Sequence, residues 1–260
     1  MRLRRKWMNT MGKAIRLECF QNLANYRKPS SFIIRESFPL PAYSTVMGMI
    51  HAACGYTELH RMKLCIQGVN NGTISELYTR YSFSYGTKYE ATRHQLCVKD
   101  DKDYGVFRGP ANVELVCDNH MVIHIVPEDE NDFDTIYQSL LKPLNYLSLG
   151  RYEDLLDIES VTVVNLTEDE EVITGNNIYI PVDSTDSDGE LLVGPGEGYT
   201  VYSLTKEYEI INGYRRWKRD GGIIKAYHYP RGKALGQALV DDSPYLSLIH
   251  ISEPTRLQLI

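Results

Sequence analysis

No apolar run in the 260 residues approaches the ~20 residues that a membrane-spanning helix needs. The basic start at 1–6 is not followed by the apolar core of a signal peptide, so the expectation is a cytoplasmic protein without a membrane partner. The five cysteines (19, 54, 65, 97 and 117) are odd in number, scattered and free of any Cys-x-x-Cys pair. This spacing favours reduced thiols, most of them small core residues, over a disulfide framework or a zinc site. There is no Gly-x-x-x-x-Gly-Lys-Ser/Thr loop for a nucleoside triphosphate, no carboxylate cluster with metal-ligand spacing and no internal repeat. No cofactor is expected.

What is present suits a globular chain: 43% hydrophobic and 24% charged residues, in a length that buries a sizeable core. The net charge of −6 argues against a general nucleic-acid binder, but the charge is uneven. Residues 1–35 carry nine Lys/Arg and one acid, 152–205 carry thirteen acids and no Lys or Arg, and 206–233 carry eight Lys/Arg and three acids. A local basic face binds phosphate even when the whole chain is acidic. Solvated surface charge is the plainer reading for any single residue.

The segment 13–55 sets the local plan. A strand is expected over 14–20, beginning only after Lys13, then a polar and basic stretch over 21–29, then an extended piece over 31–38 that ends at Pro39-Leu40-Pro41. Ser44 or Thr45 is expected to cap a helix carrying Val46, Met47, Met49, Ile50 and Ala53, with Gly55 at its left-handed C-terminal position. A loop rich in hydrogen-bonding groups before a helix N-terminus suits an anion.

Further along, 62–69 alternates as a strand and Asn70-Asn71-Gly72 signals a turn. The stretch 73–109 is rich in Tyr, Arg and Lys, poor in apolar residues and too long for an ordinary loop; a projecting β-hairpin is expected. Asp118-Asn119 predicts a tight hairpin between strands at 111–117 and 120–126. Asn131 or Asp132 is expected to cap a second helix whose buried face is Phe133, Ile136, Tyr137, Leu140 and Leu141, with Pro143 ending it and a strand over 144–149. The order is βαββαβ with an insertion, the ferredoxin-like plan of an α+β protein. Beyond 151 the chain reads as strand-rich, with an acidic, mobile loop over 183–198.

The residues Gln21, Asn22, Tyr26, Arg27, Pro29, Arg35 and Glu36, the run 38–46 (FPLPAYSTV), Gly48, Ile50, His51 and 53–55 carry a resemblance. With the second run 146–153 (YLSLGRYE), they make the chain similar to the Cas-five family: Cascade subunits of type I CRISPR systems in the RAMP superfamily, closest to the subtype I-B variant. The resemblance implies a ferredoxin-like (RRM-like) RAMP fold over 12–152 with a thumb near 73–109, followed by a strand-rich region over 153–242. Residues 1–11 read as a disordered extension. The tail 243–260 continues no pattern and reads as non-native sequence in place of the natural C-terminus.

The resemblance further implies a non-catalytic subunit that binds the 5′ handle of crRNA and contacts the Cascade large and backbone subunits, its thumb packing over a kinked or flipped nucleotide. Arginine and lysine neutralise phosphates while aromatic rings stack on unpaired bases. On those grounds the expected RNA contacts are Gln21, Tyr26, Arg27, Tyr43, Ser44, Arg80, Lys88, Arg93, His94, Arg108, Gly150 and Arg151. Tyr43 is expected to offer a stacking face, and Gly150 to let backbone amides approach a phosphate. Two rival readings remain: a metal-independent endoribonuclease using His94 with Lys88 and Tyr89, as in the subtype I-C branch, and a protein-interaction module without RNA.

Overall fold

The computed structural model describes residues 10–83, 86–169, 172–185, 191–194, 198–212, 214–236, 238–241 and 248–249. The expectations for 1–9, for half of the acidic loop and for most of the tail lie outside them.

The first strand, β1 (Thr10–Ala24), starts before Lys13 and outruns the expected 14–20. It leads into α1 (Tyr43–Cys54), β2 (Met62–Val69), β3 (Thr73–Ser82), β4 (Gln95–Lys99), β5 (Asp103–Pro127) and α2 (Asn131–Leu141). Then come β6 (Asp157–Asp169), β7 (Val172–Ile173), β8 (Asn177–Pro181), β9 (Thr200–Thr205), β10 (Tyr208–Ile211), β11 (Tyr214–Trp217) and β12 (Ile223–Tyr229), and last β13 (Ala234–Leu235), β14 (Ala238–Asp241) and β15 (Leu248–Ile249).

The central strands lie in the order β6-β1-β5-β2, each antiparallel to its neighbour, with α1 joining β1 to β2 and α2 joining β5 to β6. Period-2 alternation divides the two faces. Ile15, Leu17 and Cys19 of β1, Leu64 and Ile66 of β2, and Ile123 and Ile125 of β5 pack with Val46 and Ile50 of α1 and Ile136 and Leu140 of α2. The alternate residues Ala14 and Cys65 join Val164, Leu166, Ile178, Ile180 and Tyr229 in a second core. The later strands extend the same sheet: β8 pairs with β2, then β12 and β9 follow, while β14 and β15 flank β6.

Several expectations are corrected. The Asp118-Asn119 hairpin is not formed; β5 runs through it as one strand of 25 residues. Asp118 does take a left-handed φ of 47°, but partners on both edges keep the strand going: β1 pairs from Val116 to Ile125, β3 up to Val116, β2 from His120. The strand expected over 144–149 is absent from these residues; one isolated bridge joins Ser148 to Leu155, and β6 is the strand that pairs with β1. The 31–38 piece is a closed loop, because Lys28 and Glu36 bond across its neck. The α1 cap is Ala42, whose carbonyl accepts from the N–H of Thr45 and Val46 without side-chain help. Glu130, not Asn131 or Asp132, precedes α2, and Leu141 is exposed, leaving Ile136 and Leu140 as that helix's buried residues. Gly55 holds its expected left-handed place, with φ 69°. In the tail, Leu248–Ile249 pairs with β14.

Candidate nucleic-acid interface

Two cysteines, Cys19 and Cys65, are fully buried, Cys97 is exposed, and all five are free thiols.

The expected contact residues separate into two groups by exposure. Gln21, Tyr26 and Tyr43 are buried. The Tyr26 hydroxyl donates to Gln21 Oε1 at 2.6 Å and accepts from Asn119 Nδ2 at 2.8 Å. Gln21 Nε2 donates to the carbonyls of Leu149 and Asp154, at 3.0 and 2.8 Å. Tyr43 is 3% exposed and packs near Tyr179, so it presents no stacking face to a base. Burial pushes the hydroxyls of both tyrosines far up, so each stays protonated.

The run 38–46 is therefore packing rather than contact surface. Phe38, Leu40, Ala42, Tyr43 and Val46 are in the core. The Tyr179 hydroxyl of β8 donates to Leu40 O at 2.9 Å, and Ser44 Oγ lies 2.6 Å from Thr205 Oγ1 of β9. The segment joins α1 to the later strands of the sheet.

The Leu149-Gly150-Arg151 turn is fastened in the same way. Asp154, buried, accepts from the backbone N–H of Asn25 (2.9 Å) and of Arg151 (2.8 Å) and from the Arg151 guanidinium (2.6 Å). Gly150 has φ 115°, and a Cβ there would lie 2.9 Å from Asn25 O. The close approach that glycine permits is to this carbonyl, not to a phosphate. Arg151 is raised above its ordinary pKa: burial opposes the shift, but the Asp154 hydrogen bond and the charges of Asp154, Glu153 and Glu76 outweigh it.

The second group is exposed and lies on the insertion. Strand β3 pairs with β5 from Thr73↔Val116 to Ser82↔Phe107, and β4 pairs from Gln95↔Phe107 to Lys99↔Asp103. The expected hairpin is thus a three-stranded finger whose long strand is β5. Arg80, Lys88, Arg93, His94 and Arg108 are all exposed on it. Arg93 is paired with Glu90 at 2.7 Å. Tyr81 stands opposite Arg108 in the ladder, so cation and ring alternate along the finger.

Sequence reasoning passed over Arg35 as a contact. It has a left-handed φ of 54°, bonds the Tyr78 hydroxyl and lies over the Tyr78 ring at 5.6 Å. A basic residue beside the Pro-flanked run was the available signal. Arg35, Tyr78, Arg80, Tyr81 and Phe83 line one open hollow. Arg27 is exposed at the neighbouring bridge to Ser37. The arrangement offers cations beside aromatic faces, the two kinds of group that phosphate neutralisation and base stacking require.

Among the histidines, His124 is buried against Asp241, and His51 and His60 bond one another near Asp132. His120 and His94 are exposed. His94 is the histidine of the finger, and its carbonyl accepts from Arg108 N.

Solved structures share features with the chain at low identity. One chain of a "CRISPR RNA-guided surveillance complex" is 13% identical, with 94% of this chain and 95% of that one covered and a TM-score of 0.48. A "CRISPR protein from Archaeoglobus fulgidus" is 10% identical, with 92% and 100% covered and a TM-score of 0.43. No curated protein matches. The family described as CRISPR-associated protein (Cas_Cas5) matches residues 14–225, a span holding both helices, the finger and the turn at Gly150, and the chain belongs to that family.

Proposed function

We propose that the chain is a non-catalytic RNA-binding subunit of a type I-B-like Cascade complex, holding the 5′ handle of crRNA and anchoring the large and backbone subunits. In this reading the core is a ferredoxin-like RAMP domain with β6 as its fourth strand, and the finger is its thumb. The strand order β6-β1-β5-β2, with helices after the first and third strands in sequence, supports that assignment.

The observation that carries the RNA reading is the exposed Arg80 and Arg108 of the finger and the half-buried Arg35 of the neighbouring loop, beside the rings of Tyr78 and Tyr81. These groups have the charge and ring faces for a single strand, while Gln21, Tyr26, Tyr43 and Gly150 of the expected set are committed to packing. The endoribonuclease reading keeps one observation: Lys88, Tyr89 and His94 are all exposed in the same segment. Cleavage requires a base and an acid within hydrogen-bond reach of the 2′-OH and the leaving oxygen.

Incubating the purified chain with a repeat-derived RNA in EDTA separates the two. Intact RNA retained on the protein is the expected outcome. Discrete repeat fragments that vanish with His94→Ala would establish the endoribonuclease instead.

A further inference from the structure

The loop between Lys28 and Ser37 has a fixed foot and a bare apolar tip. At the foot, Lys28 N donates to Glu36 O at 2.8 Å, and Lys28 Nζ meets Glu36 Oε2 at 3.3 Å. Asn25 Nδ2 donates to Arg35 O at 2.8 Å, and Ser37 N donates to Glu114 Oε2 of β5 at 2.8 Å. The loop is therefore clamped to the strand that forms the finger. At the tip, Phe32, Ile33 and Ile34 are 73%, 85% and 51% exposed. Three consecutive large apolar side chains held in water on an anchored loop are costly without an occupant.

The tip does not stand alone. Phe32 and Ile33 line one hollow with Arg80, Phe107, Arg108 and Asn112 of the finger. Its volume is about 440 Å³, inside the ~300–1,000 Å³ span of ligand clefts. The apolar wall thus shares its hollow with Arg80, an exposed arginine that has no ion pair among the described residues. That combination fits a partner that is flat and apolar in one part and anionic in the next, which is the chemistry of an unpaired nucleotide.

We propose that the 32–34 tip is the second wall of the RNA site: Phe32 stacks on an unpaired base of the bound single strand, whose flanking phosphate lies on Arg80. This rests on the RNA-binding reading and adds a wall that the finger by itself does not supply. The stacking is sequence-tolerant, since every base has a π-face.

The test compares binding of fluorescein-labelled rA12 and an abasic ribose-phosphate 12-mer by the full chain, by Phe32→Ala and by Phe32→Trp. The wild type is expected to prefer rA12. Phe32→Ala is expected to lose roughly tenfold in affinity for rA12, with little change for the abasic strand and an unaltered salt slope, whereas Phe32→Trp keeps the preference. Phe32 is mostly exposed, so the variants are expected to melt with the wild type. Wild-type affinity for rA12 in Phe32→Ala overturns the inference alone. Absence of RNA binding by the wild type overturns the RNA reading together with it.

Discussion

Asp154 shows what a single residue contributes here. Its carboxylate is buried and satisfies two backbone N–H groups and a guanidinium from both sides of the contact between β1 and the Gly150 turn. Removing it leaves the buried Asn25 N–H without its acceptor and the Arg151 guanidinium with only Glu153, at 3.0 Å, as counter-charge. Asp154→Ala is expected to cost about 3–5 kcal/mol, the range for breaking one side of a buried pair, read by urea denaturation. A change below about 1 kcal/mol would mean that Gln21 and the backbone bonds of the turn hold it without the carboxylate. Tyr43→Ala belongs to the same class. It is expected to cost about 3–5 kcal/mol as a large buried aromatic, and to alter RNA affinity only as far as it unfolds the chain. A loss of affinity at full stability would return Tyr43 to the interface.

The finger acts as an element, because its cations are spread along strands that hold them at fixed spacing. Arg80 and Arg108 lie on paired strands, with Tyr81 directly opposite Arg108. Each phosphate contact on a single strand contributes about 0.7 to the slope of log affinity against log salt. The double variant Arg80→Ala/Arg108→Ala is therefore expected to flatten that slope by about 1.4, with the melting temperature little changed since both side chains are exposed. An unchanged slope, measured between 50 and 300 mM salt by fluorescence anisotropy on an order-of-magnitude affinity scale, would remove the finger from the site. Arg93 is a weaker candidate than the sequence suggests, because Glu90 already neutralises it.

At the scale of the whole molecule, acid sensitivity is built into the sheet. His124 of β5 is buried beside Asp241 of β14, which also meets Arg16 of β1 at 3.1 Å, with Glu18 next along that strand. Burial lowers the His124 pKa; the Asp241 hydrogen bond and charge oppose this, and Arg16 adds to the lowering. Burial also lowers His51, on which the backbone bond to His60 acts in the opposite sense, and His228. In the unfolded chain these rings titrate near ~6.5. As pH falls through that value the unfolded chain takes up protons that the folded chain does not, so stability present above it is lost toward the lower folded pKa. The melting temperature is expected to be lower at about pH 5.5 than at about pH 7.5, with a smaller drop for His124→Gln. Equal drops in the two proteins would exclude His124 as a contributor.

Local chemistry alone determined much of this protein. Alternation of side chains placed 62–69 and 14–20 in strands, the 3.6-residue period placed both helices, and Gly55 marked the end of the first. The unusual mixture of Tyr, Arg and Lys over 73–109 marked the finger, because polar residues with strand preference have no place in a core. Local signals failed where distant partners outweighed them. Asp118-Asn119 has the residues of a turn, yet pairing with three neighbouring strands carries β5 through it. The run 38–46 has the residues of an anion site, yet Tyr179 and Thr205, more than a hundred residues away, draw it into the core. Gly150 needs its freedom because Asn25 lies against it. Which tyrosines and arginines remain free for a ligand depends on which others the fold consumes, and those pairings form only between segments far apart in the chain.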